Sequence, residues 1–587
     1  MRYQRSRAIL FISAMMSLII LCSSCMGIPL TLSKPASAKS HAYERPGTDF
    51  SEMEYVRPDM DKIYSVLEEA EETVATYQTS GRPLQLYGQL NELMGNFYSM
   101  QNLAIIRNNL DMTDSFYAEE VLFLSEQGAE LANRISRLDE AILQAPYGEE
   151  VRQAWGETFV NYLEREARLS SPDTAELLYR EQELVLEYQR LVTEATVMVN
   201  GEPILVSELG YMVELSEEEY GQALQDYFEQ YNPILGEIFL QLVDIRTQLA
   251  ETLGFDDYTD YAYEYWGRTY TQEDVYQLRE AVKTYLVPLY ASLQDLELYD
   301  SEALYALSIS QEETFAILNR ILPEISESLN ESFQYMQKYH LYDLDYSPNK
   351  KYGGYTTYIS NYDAPFLFDT WTGSGYSVIN LIHEFGHYNY FYWELYSPIT
   401  VDPGTDIAEV HSQALELLFQ NYFEDFFGTA AADMKAAHME NLLFAMISAS
   451  MEDEFQETVY ENPDMTLDQI NRLYYKLSEE YACLPSDAAG DVLYNWIDIA
   501  HTFEVPFYYI SYALSLDTAL QIWEISLDDW EEGFQRYMDF CAYNTDNGYF
   551  ATLEDNGLRS PFEAEGIRHL SETLWEYFGL EKSVSAA

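Results

Sequence analysis

One short motif constrains this chain more than any other feature. His383, Glu384 and His387 read H-E-x-x-H and follow a mostly apolar run, residues 378–382. Residues four apart on an α-helix lie on the same face, so the two imidazoles can bind one metal ion. Glu384 lies beside His383 and can reach a water molecule at that metal, as in zinc hydrolases that activate water with a carboxylate. The motif therefore predicts a metal-binding helix buried in a large domain.

The same motif also fits an ordinary helix that carries two surface histidines beside a glutamate. The strongly apolar and aromatic flanks favour a buried helix instead. Gly386 lowers helix propensity by about 1 kcal/mol relative to Ala, a cost usually accepted for close packing or backbone approach. We therefore expect Gly386 to mark a close contact of the metal helix.

A catalytic zinc site needs a third protein ligand, and Glu409 is the best candidate. The stretch between His387 and Glu409 contains Pro398, Pro403 and Gly404. These residues allow a turn followed by an antiparallel return helix. We therefore expect Glu409 to face the two histidines from that second helix.

Two nearby residues bear on this assignment. Glu416 lies two helical turns after Glu409 and shares its face, so it can hydrogen-bond a metal-bound imidazole and fix its tautomer. In so acidic a chain, either glutamate also fits a solvated helix charge. His411 competes as the third ligand, but it lies two residues from Glu409 and would face elsewhere on a helix.

The composition excludes one class of partner. The 587 residues carry a formal charge of −67. Nucleic acid is not a partner, because phosphate binding needs clustered cations. The anionic surface should repel acidic lipid headgroups and favours cationic over acidic peptides. Solubility or adaptation to the environment is the simpler reason for the charge.

The N-terminus predicts a targeting segment. A basic start with three arginines precedes an apolar stretch, residues 8–21, that is too short for a membrane span. Small residues before Cys25 resemble the lipobox of bacterial lipoproteins. We therefore expect residues 1–25 to be a lipoprotein-type signal peptide and the protein to be extracytoplasmic, anchored to the bacterial cell membrane by a lipid on Cys25. Cleavage after Ala38, giving a secreted protein, is the alternative.

Beyond this segment the sequence predicts a flexible tether and a helical chain. Residues 26–50 are rich in Ser, Pro, Ala and Gly. Helical periodicity begins near residue 55, with apolar residues at Ile63, Leu67, Ala70 and Val74. Outside the cytoplasm, Cys483 and Cys541 can either form a disulfide or remain buried thiols.

Two stretches predict β structure. Asn200 and Gly201 separate short apolar runs within residues 197–206, which indicates a tight hairpin. A second non-helical stretch, residues 345–377, is rich in glycine and directly precedes the metal helix. It can supply a strand beside the active cleft.

Several further motifs, together with H-E-x-x-H, resemble the M3 family of zinc metallopeptidases, the oligoendopeptidase F and thimet oligopeptidase group. The resemblance covers residues 190–580. It rests on Leu253-Gly254-Phe255, Gly353-Gly354-Tyr355, Ala364-Pro365-Phe366-Leu367, Glu409-Val410-x-Ser412, and His501 followed by residues 506–513. Tyr388-Asn389-Tyr390 departs from the small and His residues common after the metal motif, which bears on specificity and not on the ligands.

This resemblance implies a mainly α-helical fold. Two helical lobes flank a deep substrate cleft, with a small β element next to the metal helix and one Zn²⁺ at the cleft floor. An N-terminal helical region, residues 51–190, precedes an M3-like zinc peptidase domain, residues 191–587. A strand near Phe366 would pair with the substrate backbone as an added β-strand.

The resemblance also implies roles for individual residues. Zn²⁺ is held by His383, His387 and Glu409, with Glu416 behind them and Glu384 as general base.

The remaining roles fall on the C-terminal segment and the glycine-rich stretch. Tyr512 donates to the oxyanion, a contribution of about 3–4 kcal/mol in comparable sites. His501, Tyr508 and Tyr509 are its neighbours, and Gly354 contacts the substrate together with Phe366.

We therefore expect a monomeric zinc-dependent endopeptidase that hydrolyses internal bonds of short peptides and meets the membrane only through its lipid anchor. One alternative is a helical H-E-x-x-H carboxypeptidase or dipeptidase, which would require a free peptide end. Another is a peptide-binding lipoprotein without catalysis, which would not need both histidines and Glu384.

Overall fold

The computed structural model describes residues 46–580, with gaps at 170, 212–214, 295, 297, 348, 352, 394–403, 485–489 and 543–547. Cys25, the rest of the predicted signal peptide and most of the predicted tether lie outside the described residues. Within the described ranges, every helix is too short or too polar to cross a membrane.

The N-terminal part of the described chain consists of helices. They are Met60–Thr76 (α1), Gly81–Leu110 (α2), Ser115–Gln144 (α3), Gly148–Trp155 (α4), Glu157–Leu169 (α5) and Ala175–Thr193 (α6). The side chain of Asp59 caps α1 by accepting from the backbone N–H of Lys62 at 3.1 Å. Ile63, Leu67 and Val74 are buried, as their spacing predicts, in a core shared by α1–α5.

A hairpin and a second, longer series of helices follow. The helices are Glu217–Leu253 (α7), Tyr258–Tyr265 (α8), Gln272–Ala281 (α9), Val287–Gln294 (α10), Ser301–Tyr305 (α11), Gln311–Ile325 (α12), Glu327–Lys338 (α13), Gly375–Trp393 (α14), Thr405–Phe419 (α15), Phe423–Phe427 (α16), Ala431–Glu461 (α17), Leu467–Glu480 (α18), Ala500–Glu504 (α19), Ile510–Asp528 (α20), Trp530–Ala542 (α21), Tyr549–Asp555 (α22) and Ala564–Tyr577 (α23). A π-helical turn, Val282–Leu286, joins α9 to α10. The mainly α-helical fold is confirmed.

The predicted hairpin is present as Thr196–Val199 (β1) and Glu202–Leu205 (β2), paired antiparallel. Asn200 and Gly201 form its turn with φ of 52° and 87°. Positive φ at both central residues is the geometry that Asn-Gly favours in a two-residue hairpin.

A three-stranded sheet precedes the metal helix. Its strands are Tyr342–Asp343 (β3), Tyr355–Ile359 (β4) and Ala364–Phe368 (β5), in the order β3–β5–β4. β4 and β5 are antiparallel, with Tyr358 opposite Pro365. Since proline has no N–H to donate, Tyr358 occupies a non-hydrogen-bonded position and directs its backbone groups away from β5. Thr356, two residues earlier, faces the same way.

The sheet order corrects the expectation for Phe366. β5 is the central strand, so it has no outer edge at which Phe366 can pair with a substrate. Phe366 pairs with Thr357 of β4, and its side chain is fully buried against the ring of Phe50, 4.2 Å away between centroids. The prediction failed because the pairing strand β3 is only two residues long and has no sequence pattern. The outer edge beside the metal helix belongs to β4.

The two cysteines of the helical region are separate thiols. Cys483 and Cys541 are both free and partly buried. Burial raises the pKa of each thiol, that of Cys541 to about 12. The disulfide alternative is therefore not adopted.

Candidate metal centre

Helices α14 and α15 bring the three predicted metal ligands together. His383 and His387 lie one turn apart on α14, and Glu409 lies in the second turn of α15. The two helices approach closely at Gly386, where an added Cβ would lie 2.5 Å from the carbonyl oxygen of His411 and 2.7 Å from the Cα of Ser412. Only glycine allows this approach, which is the close contact that the sequence predicts.

The ligand atoms converge on one point. The Nε2 atoms of His383 and His387 lie 3.4 Å and 3.6 Å from Oε2 of Glu409. Ligands about 2.0–2.1 Å from a tetrahedral zinc ion stand about 3.3–3.4 Å apart, so these separations match such a site. His387 and Glu409 are buried, and His383 is partly exposed.

Two orphaned polar atoms also fit a metal ion. Nε2 of His387 and Oε1 of Glu409 are buried, and neither has a hydrogen-bond partner among the described residues. Buried polar atoms are normally satisfied, and a cation between them would satisfy both. Burial opposes ionisation of Glu409, but the adjacent imidazoles of His383 and His387 more than offset it and hold the pKa of Glu409 below its usual range. His383, His387 and Glu409 therefore form a site suited to a divalent cation.

Glu416 lies behind this group, as expected. Its Oε1 is 2.5 Å from Nδ1 of His383. A metal-binding histidine usually donates its other ring N–H to such a carboxylate, which orients the ring. Burial opposes ionisation of Glu416, but the charge of His383 and hydrogen bonds with His383 and His438 lower its pKa to about 2. Glu416 is thus an ionised acceptor.

Glu384 faces the sheet from the metal helix. Its Oε2 accepts a hydrogen bond from Oγ1 of Thr356 at 2.9 Å. Its Oε1 points to Gly354, where an added Cβ would lie 3.2 Å away. Burial raises the pKa of Glu384 above its usual value. The same Cβ would lie 3.2 Å from Oδ1 of Asp369. Burial and the charge of Glu384 raise the pKa of Asp369 to about 7.

His411, the competing ligand candidate, points away from the metal group. Its ring stacks on Tyr390 with centroids 4.0 Å apart. It does not belong to the group of convergent ligand atoms, which contains only His383, His387 and Glu409 among the described residues. Burial lowers the pKa of His411 to about 3.

The predicted C-terminal residues form an aromatic cluster. The ring of His501 lies 5.5 Å from that of Tyr508, 4.9 Å from that of Tyr509 and 5.9 Å from that of Tyr512, between centroids. The Tyr512 hydroxyl is 3.4 Å from Nε2 of His501. All four side chains are buried. Burial lowers the pKa of His501 to about 4, and the carboxylate of Glu409 opposes this shift.

Side chains from other parts of the chain hydrogen-bond the backbone of the turn before this cluster. Phe507 has a φ of 64°, a left-handed conformation that side chains rarely adopt. Its N–H donates to Oε1 of Gln456 at 2.6 Å, and its carbonyl accepts from the guanidinium of Arg268. The indole of Trp266 donates to the carbonyl of Pro506 at 3.0 Å. Side chains distant in sequence therefore fix the entry to α20.

The comparisons with known proteins give the family. A model described as peptidase family M3 matches residues 218–542, more than half of the chain. The chain belongs to peptidase family M3. A second model, the peptidase M3 N-terminal domain, matches residues 50–170 of this M3 peptidase. That region carried no motif of the resemblance, which began at residue 190.

Solved structures of similar fold agree with this family. A PZ peptidase A determined with an inhibitor is 26% identical, with a TM-score of 0.79 over 90% of this M3 peptidase and 99% of that chain. A putative oligoendopeptidase F is 27% identical, with a TM-score of 0.79 over 91% and 99%. A putative oligoendopeptidase F from Bacillus anthracis str. Ames shares the fold at 24% identity, with a TM-score of 0.76 over 92% and 100%. No curated protein matches the chain.

Sequence reasoning missed several residues of this site in the M3 peptidase. Thr356 and Asp369 beside Glu384 are in the glycine-rich stretch, where nothing distinguishes them from other polar residues. His438 lies 2.8 Å from Glu416, and Arg268 holds Phe507. The one signal that could have pointed to His438 is the scarcity of histidine, 8 in 587 residues.

Proposed function

We propose that this M3 peptidase is a zinc-dependent endopeptidase that hydrolyses internal bonds of short peptides. The observation that carries the proposal is the convergence of His383, His387 and Glu409 around one point, with Glu384 next to it on the same helix. Two imidazoles and a carboxylate are the donor set of a catalytic zinc site that keeps one position open. Zinc, when bound there, supplies Lewis-acid polarisation of the scissile carbonyl and of water.

Glu384 acts as the general base. Thr356 holds Oε2, so Oε1 is the oxygen that takes the proton from the attacking water. Oε1 lies beside Gly354, whose lack of a side chain allows the carboxyl groups of Glu384 and Asp369 to approach the backbone at the start of β4. Glu384 then passes the proton to the departing amine, since a carboxyl group that accepts a proton can return it in the next step.

The substrate runs along the outer edge of β4. Thr356 directs its backbone N–H and C=O away from β5, and Gly354 lies just before the strand. Further along, the carbonyl of Tyr358 already accepts from the side-chain amide of Asn102 at 2.8 Å. A peptide therefore pairs at Gly354 and Thr356, next to Glu384, by addition of a strand. Strand pairing reads the backbone, which suits cleavage of internal bonds in varied sequences.

Tyr512 stabilises the oxyanion. Its hydroxyl lies beside His501, which remains neutral because burial holds its pKa near 4. A neutral imidazole can orient the hydroxyl of Tyr512 by a hydrogen bond and places no second positive charge beside the oxyanion. We assign Tyr508 and Tyr509 to the substrate-facing wall around this hydroxyl.

Peptide cleavage and metal content together test this function. We expect one zinc per chain, cleavage of an internal bond in a quenched peptide with both ends blocked, loss of activity on chelation and recovery with zinc. Glu384→Gln should keep zinc and lose turnover, whereas Glu120→Gln, a buried glutamate of α3, should keep both. Cleavage only of peptides with a free carboxylate would support the carboxypeptidase alternative. Zinc-independent activity would reject the metal mechanism.

We also propose that the protein acts outside the cytoplasm, anchored through a lipid on Cys25. The basic start, the apolar stretch and the small residues before Cys25 support this placement. Cys25→Ala should abolish incorporation of labelled fatty acid and release the protein from the membrane fraction. Unchanged membrane association without acylation would reject the lipid anchor.

A further inference from the structure

We propose that His438 is a positioning residue of the metal centre, which holds Glu416 and thereby fixes the tautomer of His383. The inference rests on the proposed metal site. Both oxygens of Glu416 are engaged: Oε1 lies 2.5 Å from Nδ1 of His383, and Oε2 lies 2.8 Å from Nε2 of His438. His438 belongs to α17, whereas Glu416 belongs to α15. The contact therefore joins a third helix to the metal ligands.

The hydrogen bonds continue beyond His438. Nδ1 of His438 lies 3.0 Å from Nε2 of Gln420, and Oε1 of Gln420 lies 3.3 Å from the hydroxyl of Tyr577 on α23. The other acceptor near that hydroxyl, the carbonyl of Lys435, is farther away at 3.5 Å. Glu416, Gln420 and His438 are all buried. The four side chains form a continuous path from the C-terminal helix to the metal ligand His383.

Each hydrogen bond along this path fixes which atom donates in the next one. A hydroxyl that donates to Oε1 of Gln420 orients the amide so that Nε2 of Gln420 donates to Nδ1 of His438. Because Nδ1 of His438 then accepts from Gln420, the N–H of the ring that faces Glu416 is the one on Nε2, and it donates to Glu416. The carboxylate of Glu416 accepts the N–H on Nδ1 of His383. This leaves a lone pair on Nε2 of His383, the atom that faces Glu409.

Loss of His438 should loosen the ligand and leave its neighbours in place. Oε2 of Glu416 would lose its donor in a buried environment, where an unpaired carboxylate oxygen is costly. Glu416 could then turn toward another donor and release the ring of His383. Replacing an outer partner of this kind typically weakens metal binding by about 10–100-fold.

The test measures zinc affinity by chelator competition on the purified full chain, without peptide. His438→Leu should weaken zinc binding by about 10–100-fold, and His438→Gln, whose amide can still donate to Glu416, should recover most of it. His340→Leu, which removes an exposed histidine beside Asp49, should leave the affinity unchanged. Circular dichroism and thermal unfolding of the metal-free proteins check that each variant is folded.

Two results would overturn the proposal. Zinc binding as tight in folded His438→Leu as in the parent would show that Glu416 does not need His438. Equal weakening in His438→Gln would show that the ring matters for packing and that the donated proton does not. Because affinity is measured without peptide, a protein that binds zinc but cleaves nothing would reject the proposed function alone.

Discussion

The two sides of the candidate active site are built differently. On the metal side, the ligands lie on α14 and α15, and backbone contact at Gly386 fixes the distance between these helices. On the aromatic side, His501 and Tyr512 follow a turn in which Phe507 has a positive φ and depends on side chains from other helices. The metal side is thus held by local helix geometry and the aromatic side by long-range contacts. We therefore expect substitutions on the aromatic side to lower activity without loss of zinc, and substitutions on the metal side to lower zinc binding.

The largest effect should come from Glu409→Ala on the metal side. Loss of an outer partner already costs up to about 100-fold in metal affinity, so loss of a ligand should cost more than that. Zinc titration of the purified variant measures this effect. Retention of one tightly bound zinc would contradict the assignment of Glu409 as a ligand.

Tyr512→Phe should act on the aromatic side alone. Removing one oxyanion donor lowers kcat by about 10²–10³-fold while KM and zinc content stay near the parent values. Steady-state kinetics on a peptide with both ends blocked measure kcat and KM separately. Tyr549→Phe is the matched control. It removes a buried hydroxyl that donates to the carbonyl of Leu514 on α20, the helix that carries Tyr512. An unchanged kcat in Tyr512→Phe would reject the oxyanion role.

Arg268→Lys should disturb the aromatic side indirectly. The shorter reach of a single ammonium would weaken the hold on the Phe507 carbonyl, and a displacement of about 1 Å near the reacting groups can cost up to about 100-fold in rate. Zinc content should not change. Arg320→Lys, in an exposed ion pair with Asp425, provides the control. Parallel loss of zinc in Arg268→Lys would show that the two sides are not independent.

The smallest effect concerns pH and His501. Burial lowers the pKa of His501 to about 4, against about 6.5 in an unfolded chain, so the unfolded state binds more protons between these values. His501 therefore removes stability as pH falls from about 6.5 to about 4, by up to about 3 kcal/mol. In metal-free protein, His501→Gln should lose less unfolding free energy than the parent between pH 7 and pH 4.5. Parallel pH curves would contradict a buried neutral His501.

This contrast also explains what the sequence could predict. The positions of His383, His387 and Glu416 follow from helical spacing, and the Asn200–Gly201 hairpin follows from turn chemistry. The resemblance implies a substrate contact at Phe366, but the two-residue strand β3, which has no sequence pattern, makes β5 the central strand. His438 and Arg268 act through contacts between separate elements of the fold, and no local sequence pattern indicates such contacts. The N-terminal match to the family lies in a region with helical periodicity alone.

X-ray diffraction from zinc-loaded crystals, at wavelengths on both sides of the zinc absorption edge, tests the ligand assignment most directly. We expect one anomalous peak per chain, about 2.0–2.2 Å from Nε2 of His383, Nε2 of His387 and a carboxylate oxygen of Glu409. A peak at other side chains, or Glu409 turned away from a metal held by the two histidines, would contradict it.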